Sequence, residues 1–163
     1  MPDKFRVHVW GTPPRWYLKS ILVGKQETPD GIVDLTGGGA IEVMLALGAG
    51  EVTGSVVDAE DKPVPGVAVT LVPQDAGKQG RADLFRITTS DQEGRFRFQD
   101  VVPGRYKILA WQQVEPAAVQ DLEFRRPFES KATSLRLDEG GRETVQLKAI
   151  SVEDVAGALG NRP

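Results

Sequence analysis

The residues of this chain best equipped for chemistry are few and scattered. Its one histidine, His8, lies on the polar side of an alternating run, between Arg6 and Trp10. A histidine acting as a general base needs a nucleophile and an orienting acid beside it, and no such grouping is signalled. One histidine also rules out a His-rich zinc or iron site. The absence of cysteine removes thiol catalysis, thiolate metal ligation and disulfides. Carboxylates cluster at Asp58, Glu60 and Asp61, and again at Asp91 and Glu93, where oxygen ligands for calcium would be sought. The run Asp91-Gln92-Glu93-Gly94 lacks the longer acidic alternation of a calcium loop, so both clusters read as solvated turn carboxylates. Gly37-Gly38-Gly39 leads into a strand without the Lys-Ser/Thr of a phosphate loop, and reads as a flexible turn.

Aromatic rings remain. Trp10, Trp16, Tyr17 and Trp111 offer flat apolar faces of the kind that stack on sugars or fill protein interfaces. Trp16 and Tyr17 are adjacent in a strand and so face opposite sides, which puts one of them in the core. Trp10, Trp16 and Trp111 are the candidate contacts to a glycan or a protein partner. No catalytic residue, cofactor-binding residue or metal ligand is assigned, and no cofactor is expected.

The elements that must position these rings are strands. Period-2 alternation dominates and helical periodicity is nearly absent. Phe5, Val7 and Val9 alternate with Arg6, His8 and Trp10; WYLKSILV (16–23) follows the Pro13-Pro14 break; a short IVDL starts at Ile32. Ile41, Val43, Leu45 and Leu47 then alternate with Glu42, Met44 and Ala46. After Gly48-Ala49-Gly50, the best candidate boundary, strand signals recur at 51–58, 66–73, 83–90, 94–100, 104–112, 132–138 and 142–150. Pro65-Gly66 and Pro103-Gly104 supply tight turns, and Asp91 to Gly94 a hairpin loop. Seven short strands at this spacing predict an antiparallel sandwich of immunoglobulin-like or prealbumin-like type. Val56, Val69, Leu71, Phe96, Phe98, Tyr106, Ile108, Leu135, Val145 and Leu147 share parity along their strands and form its expected core. Residues 116–131 open with Pro116 and carry good helix formers, predicting one short helix in a crossover on the rim, ended or kinked at Pro127.

The chain also repeats itself. Leu35, Gly38, Gly39, Val43 and Leu45 return 102 residues later as Leu137, Gly140, Gly141, Val145 and Leu147. Phe5-Arg6 and Pro14-Arg15-Trp16-Tyr17 are echoed by Phe96-Arg97 and Pro103-Gly104-Arg105-Tyr106 at an offset near 90, the helical insert making the difference. Residues 1–48 are thus expected to be the C-terminal half of a preceding β-sandwich module, 50–150 a complete module and 151–163 a C-terminal tail. The chain would then begin mid-module, as a piece of a tandem array. Its neighbouring modules in a longer parent chain are the expected partners, with a homodimer through the half module as the other arrangement.

Composition bounds the function. The 163 residues and 17.7 kDa are 40% hydrophobic and 26% charged, with 18 glycines and 11 prolines, as in a globular protein of many short strands. A net charge of −3 with both signs interspersed gives no basic face for nucleic acid or an anionic membrane. No apolar run reaches the roughly 18 residues of a membrane span, and MPDKFRVHVW contains no signal-peptide core.

One stretch is similar to a known family. Gly54-Ser-Val-Val-Asp58, Pro63-Val-Pro-Gly66-Val-Ala-Val-Thr-Leu71, Thr89-Ser-Asp91-Gln-Glu-Gly94-Arg-Phe96 and Val102-Pro-Gly-Arg-Tyr106 resemble the carboxypeptidase regulatory-like domain, a prealbumin-type β-sandwich. The resemblance implies a non-catalytic structural or interaction module of a larger exported bacterial protein, periplasmic, outer-surface or secreted. A carbohydrate-binding module using exposed aromatics is the alternative. Transthyretin-like hydrolases and intradiol dioxygenases share the broad fold but depend on several histidines, which this chain lacks. Some adhesin sandwiches close a Lys-Asn isopeptide bond; the only asparagine here is Asn161, in the tail.

Overall fold

The structure is a computed structural model and describes residues 4–160. It is all-β apart from short helices. Residues 1–48 give five strands: β1 (Lys4–Arg6), β2 (Trp16–Val23), β3 (Gln26–Glu27), β4 (Ile32–Asp34) and β5 (Ile41–Leu47). Seven more follow: β6 (Gly50–Val57), β7 (Ala68–Pro73), β8 (Arg86–Thr89), β9 (Arg95–Val101), β10 (Gly104–Trp111), β11 (Thr133–Leu137) and β12 (Arg142–Ile150). Among the described residues no helix is long and apolar enough to cross a membrane.

The seven later strands form one sheet that folds over on itself, in the order β8-β7-β10-β12-β6-β9 with β11 on β10. The expected antiparallel sandwich is therefore corrected to a mixed, nearly barrel-like one. Arg142 to Lys148 of β12 pair parallel with Glu51 to Val57 of β6, and Ala149 and Ile150 pair parallel with Ala110 and Trp111 of β10. A single strand thus bridges the two layers. Alternation fixes which face a side chain takes but not the direction of the neighbouring strand, so the sequence is blind to this pairing. The core between the layers holds all ten expected residues, nine buried and Val145 half-buried.

Local chemistry explains the strand ends. Tyr106 follows the Pro103-Gly104 turn, and its hydroxyl donates to the Val102 carbonyl at 2.6 Å, forming a tyrosine corner. Burial pushes this phenol's pKa upward. Gly54 and Gly66 serve different needs. A Cβ on Gly54 would lie 2.0 Å from the Val145 carbonyl oxygen, whereas Gly66 has open space and needs its φ of 71°.

The segment after β10 is corrected as well. β10 and β11 are direct antiparallel neighbours, so the segment between them is a long hairpin excursion rather than a crossover. It breaks into two four-residue helices, α1 (Pro116–Val119) and α2 (Leu122–Arg125), and a 3₁₀ stretch, Arg126–Lys131, that contains Pro127. Val119, Phe124 and Phe128 cover the outer face of β7 and β10, making a second core with Val72, Leu109, Trp111 and Ile150. The expected tail adds α3 (Val152–Gly160), whose Val155 and Ala158 pack on the same cluster.

The first 48 residues keep the repeat's element order but not its pairing. β10 pairs with β11, and β12 lies between β6 and β10. Among their counterparts β1 pairs with β4, and β2 pairs antiparallel with β5 where β10 meets β12 in parallel. β5 has β2 on one side and, among the described residues, no strand on the other. A small core of Leu18, Ile21 and Val33 holds this part together.

Candidate binding cleft

Pro13 to Trp16 form a tight turn closed by the Trp16 amide on the Pro13 carbonyl at 3.1 Å. Arg15 occupies its third position at φ 71°, a conformation glycine normally takes. Its backbone is held on both sides. The amide donates to Asp100 Oδ1 at 2.9 Å, and the carbonyl accepts from Gly48 and Ala49 at 2.8 and 2.9 Å. Asp100 itself lies at φ 53°, where β9 bulges against β6 between the pairs Gly50–Val101 and Val52–Phe98. The bulge turns Asp100 out of the sheet toward the turn that launches β2. The candidate boundary forms a clamp: Gly48, Ala49 and Gly50 are buried, and the Gly48 carbonyl accepts from Gly140 at 2.6 Å.

Beside this clamp a cleft of about 340 Å³ opens, lined among others by His8, Trp10, Trp16, Tyr17, Asp83 and Asp100. Trp10 is 84% exposed and stacks on His8, ring centroids 5.7 Å apart and planes 18° off parallel. Trp16 is 39% exposed, while Tyr17 is buried, the division expected for adjacent strand residues. Asp83 is fixed by Arg81 through two hydrogen bonds of 3.1 and 2.6 Å. Exposed ring faces flanked by fixed carboxylate acceptors are what a polyhydroxylated ligand requires: stacking on C–H faces and acceptors for hydroxyls.

Two of the three tryptophans singled out from the sequence meet here. The third does not. Trp111 is fully buried in the second core, its Nε1 donating to Thr70 Oγ1 at 3.0 Å and its ring edge-on to Phe128 at 5.0 Å. It presents no face to a ligand. The alternation argument could not separate these cases, because the cover over Trp111 comes from residues 119–128. Asp83 and Asp100 were missed: one lies in a loop, the other in a bulge, and neither belongs to a motif.

The acidic clusters carry out a local task. Asp58 Oδ1 accepts from the amides of Glu60 and Lys62 at 2.8 and 3.0 Å, and Asp91 Oδ1 from those of Glu93 and Arg95 at 2.9 and 2.8 Å. These bonds, the Lys62 amide foremost, hold the Asp58 carboxyl below the usual carboxylate range. Each aspartate staples its own turn. Among the described residues no group of three or more His, Asp or Glu side chains is placed to hold a metal ion.

The family model of the carboxypeptidase regulatory-like domain matches residues 51–149. The chain belongs to that family. The match spans β6 through most of β12, the strands that enclose the main core, and the resemblance read from the glycines, turns and Tyr106 is borne out. No curated protein matches the chain. Solved structures with a distant likeness to this carboxypeptidase regulatory-like chain include the major pilin subunit of Bacillus cereus, at 14% identity and TM-score 0.38, over 68% of this chain and 33% of that one. A proposed carbohydrate-binding protein from Pseudomonas aeruginosa shares 19% identity at TM-score 0.38, covering 62% and 88%. A streptococcal ancillary pilin shares 16% at TM-score 0.41, covering 84% and 45%. The chain spans about a third of the length of the Bacillus cereus pilin subunit.

Proposed function

We propose that this chain is a non-catalytic spacer and interaction module of a larger exported bacterial protein. On this reading residues 1–48 are the latter half of one β module, 50–150 the next, and neighbouring modules of the parent are the partners. The observation that carries it is the clamp at Gly48-Ala49-Gly50. A spacer fixes the relative direction of its parts only if the joint between them is stiff, and here the joint is hydrogen-bonded to both sides through Arg15 and Gly140. Buried, hydrogen-bonded amides exchange slowly because exchange waits for opening. Hydrogen exchange at Gly48 and Ala49 is expected to be as slow as in β6 and β12. Asp100→Ala should speed exchange at Arg15 while leaving β6 and β12 unchanged. Linker amides that exchange as fast as exposed loops would remove the spacer reading.

A second reading, carbohydrate binding, is favoured by the cleft. Trp10 and Trp16 would stack on sugar rings, with Asp83 and Asp100 accepting from hydroxyls. Binding to a panel of polysaccharides, measured by affinity electrophoresis or calorimetry, is the test. Trp10→Ala is expected to weaken any such binding about 5- to 150-fold, since a stacked ring is worth about 1–3 kcal/mol, with the melting temperature unchanged. Binding undisturbed by Trp10→Ala would place the glycan elsewhere.

A further inference from the structure

The two layers of the main module differ on the outside. Apolar side chains of residues 119–128 and α3 cover the layer of β7 and β10. The outer face of β12, β6 and β9 is bare and polar. Its outward rows are Arg142, Thr144, Gln146 and Lys148 on β12, then Glu51, Thr53 and Ser55 on β6. Arg95, Arg97 and Gln99 complete it on β9. Four cations thus share a face with one carboxylate, on a chain of formal charge −3. Both signs intersperse along the sequence, and strand alternation sorts them. Glu51 accepts from Arg97 Nε at 2.7 Å and fixes that guanidinium. The side chains of Arg95, Arg142 and Lys148 have no hydrogen-bond or ion-pair partner among the described residues. The strand pattern does not itself demand them. At the 102-residue offset of the repeat, Ala40, Glu42, Met44 and Ala46 stand where β12 carries Arg142, Thr144, Gln146 and Lys148.

Two grooves cross this face and share Arg97. One, of about 390 Å³, adds Gln99, Arg142 and Arg15; the other, of about 660 Å³, adds Thr53, Ser55, Thr144 and Arg95. Asp100 and Asp91 also line them, but backbone amides engage both carboxylates, that of Arg15 on Asp100 and those of Glu93 and Arg95 on Asp91. We propose that this face binds an acidic polysaccharide, with uronate carboxylates on Arg15, Arg95, Arg97 and Arg142 and sugar hydroxyls on Thr53, Ser55, Thr144 and Gln99. Charge complementarity comes first: a guanidinium fork meets a carboxylate with two donors at once. Arg95 and Arg97 stand about 7 Å apart along one side of β9, a spacing for charges that recur along a polymer rather than for a single ion. Hydroxyl and amide groups, which donate and accept, fill the intervals. Nucleic acid would call for exposed rings to stack its bases, and the one ring lining these grooves, Phe96, is 5% exposed. A peptide adding as a strand would need free backbone, and β6 at the centre of the face is hydrogen-bonded on both sides. Asp100 also borders the Trp10 cleft, so the two surfaces adjoin, yet this one carries the cations and relies on no tryptophan.

Affinity electrophoresis through polygalacturonate tests the site. The chain should be retarded at about 50 mM salt and bind roughly tenfold or more weakly at about 500 mM. The methyl ester of the same polymer keeps the hydroxyls, loses the charge and should not retard the chain. Arg95→Gln combined with Arg142→Gln, both at exposed positions, should weaken binding about tenfold or more with unchanged melting. Arg126→Gln combined with Lys131→Gln removes the same charge from the 3₁₀ stretch over the other layer and should leave binding as it was. Trp10→Ala should also leave it as it was, which separates this site from the neighbouring cleft. Absence of retardation at low salt overturns the proposal. So does equal loss from the two charge pairs, or equal binding of the ester. Tighter binding of polyglutamate or oligothymidylate than of polygalacturonate would overturn it too, assigning the face to a peptide or a nucleic acid.

Discussion

Gly54→Ala is expected to lower the stability of the chain by about 4 kcal/mol or more, a size reserved for changes the fold cannot absorb. Gly54 lies in the middle of β6, opposite Val145 on the parallel side and Phe96 on the antiparallel side. A methyl group there would sit 2.0 Å from the Val145 carbonyl oxygen and 2.7 Å from Cζ of Phe96. The first obstacle is backbone, so relief requires β12 to move away from β6. β12 cannot do so cheaply, because its last residues are held by β10 in the opposite layer. Pushing one end open disturbs both layers at once. Gly66→Ala makes the comparison. No atom lies within 4 Å of the added methyl, and only the φ of 71° is strained, which costs about 1–2 kcal/mol. With about 2–4 °C of melting temperature per kcal/mol at this chain length, Gly54→Ala should melt at least roughly 8 °C below the unmodified protein. Gly66→Ala should fall only a few degrees below it. A Gly54→Ala protein that melts within 2 °C of the original would show that the β6–β12 contact is looser than described.

This pair of glycines shows where sequence reading stops. Both stand in strands or turns next to apolar runs. One is fixed by a neighbour 91 residues away, the other by its own backbone angle. Local signals were legible throughout: WYLKSILV is a strand from Trp16 to Val23, the turn before Tyr106 places its hydroxyl on Val102, and the ten-residue core was readable from parity. What failed depends on pairs distant in the chain. The parallel register of β12 and the burial of Trp111 are decided by elements that alternation cannot locate. Arg125 is the same lesson in a charged residue. It is nearly fully buried, donating to the Val119 carbonyl at 2.6 Å and to Gln79 Oε1 at 3.1 Å, beside the ring of Phe85. A charged residue is expected at the surface until its partners are known. The cleft was half legible: its rings announced themselves by type, its carboxylates only by position.

Phe98→Ala is the second large effect, expected at about 3–5 kcal/mol. Phe98 is 2% exposed, opposes Val52 across the β6–β9 ladder, and meets Phe96 edge to face at 6.0 Å and 64°. Its truncation removes the ring's transfer free energy and leaves a cavity that the surroundings fill only in part. They are poorly able to fill it here. Val52 and Val56 are β-branched and fully buried on a strand gripped from both sides, and Val101 is anchored at the bulge beside Asp100. Phe98→Leu keeps most of the volume and should cost under about 1.5 kcal/mol, which separates loss of volume from loss of the aromatic contact. Phe5→Ala, at a ring 53% exposed outside the three buried clusters, should cost well under 1 kcal/mol, near the range of ordinary surface changes. Urea denaturation distinguishes the outcomes: a lowered midpoint at constant slope reports stability alone. A loss below 1 kcal/mol for Phe98→Ala would mean that β9 presents its other face to the core, with Arg97 and Gln99 inside. The parity of β6, to which β9 is registered residue by residue, would then have to invert as well.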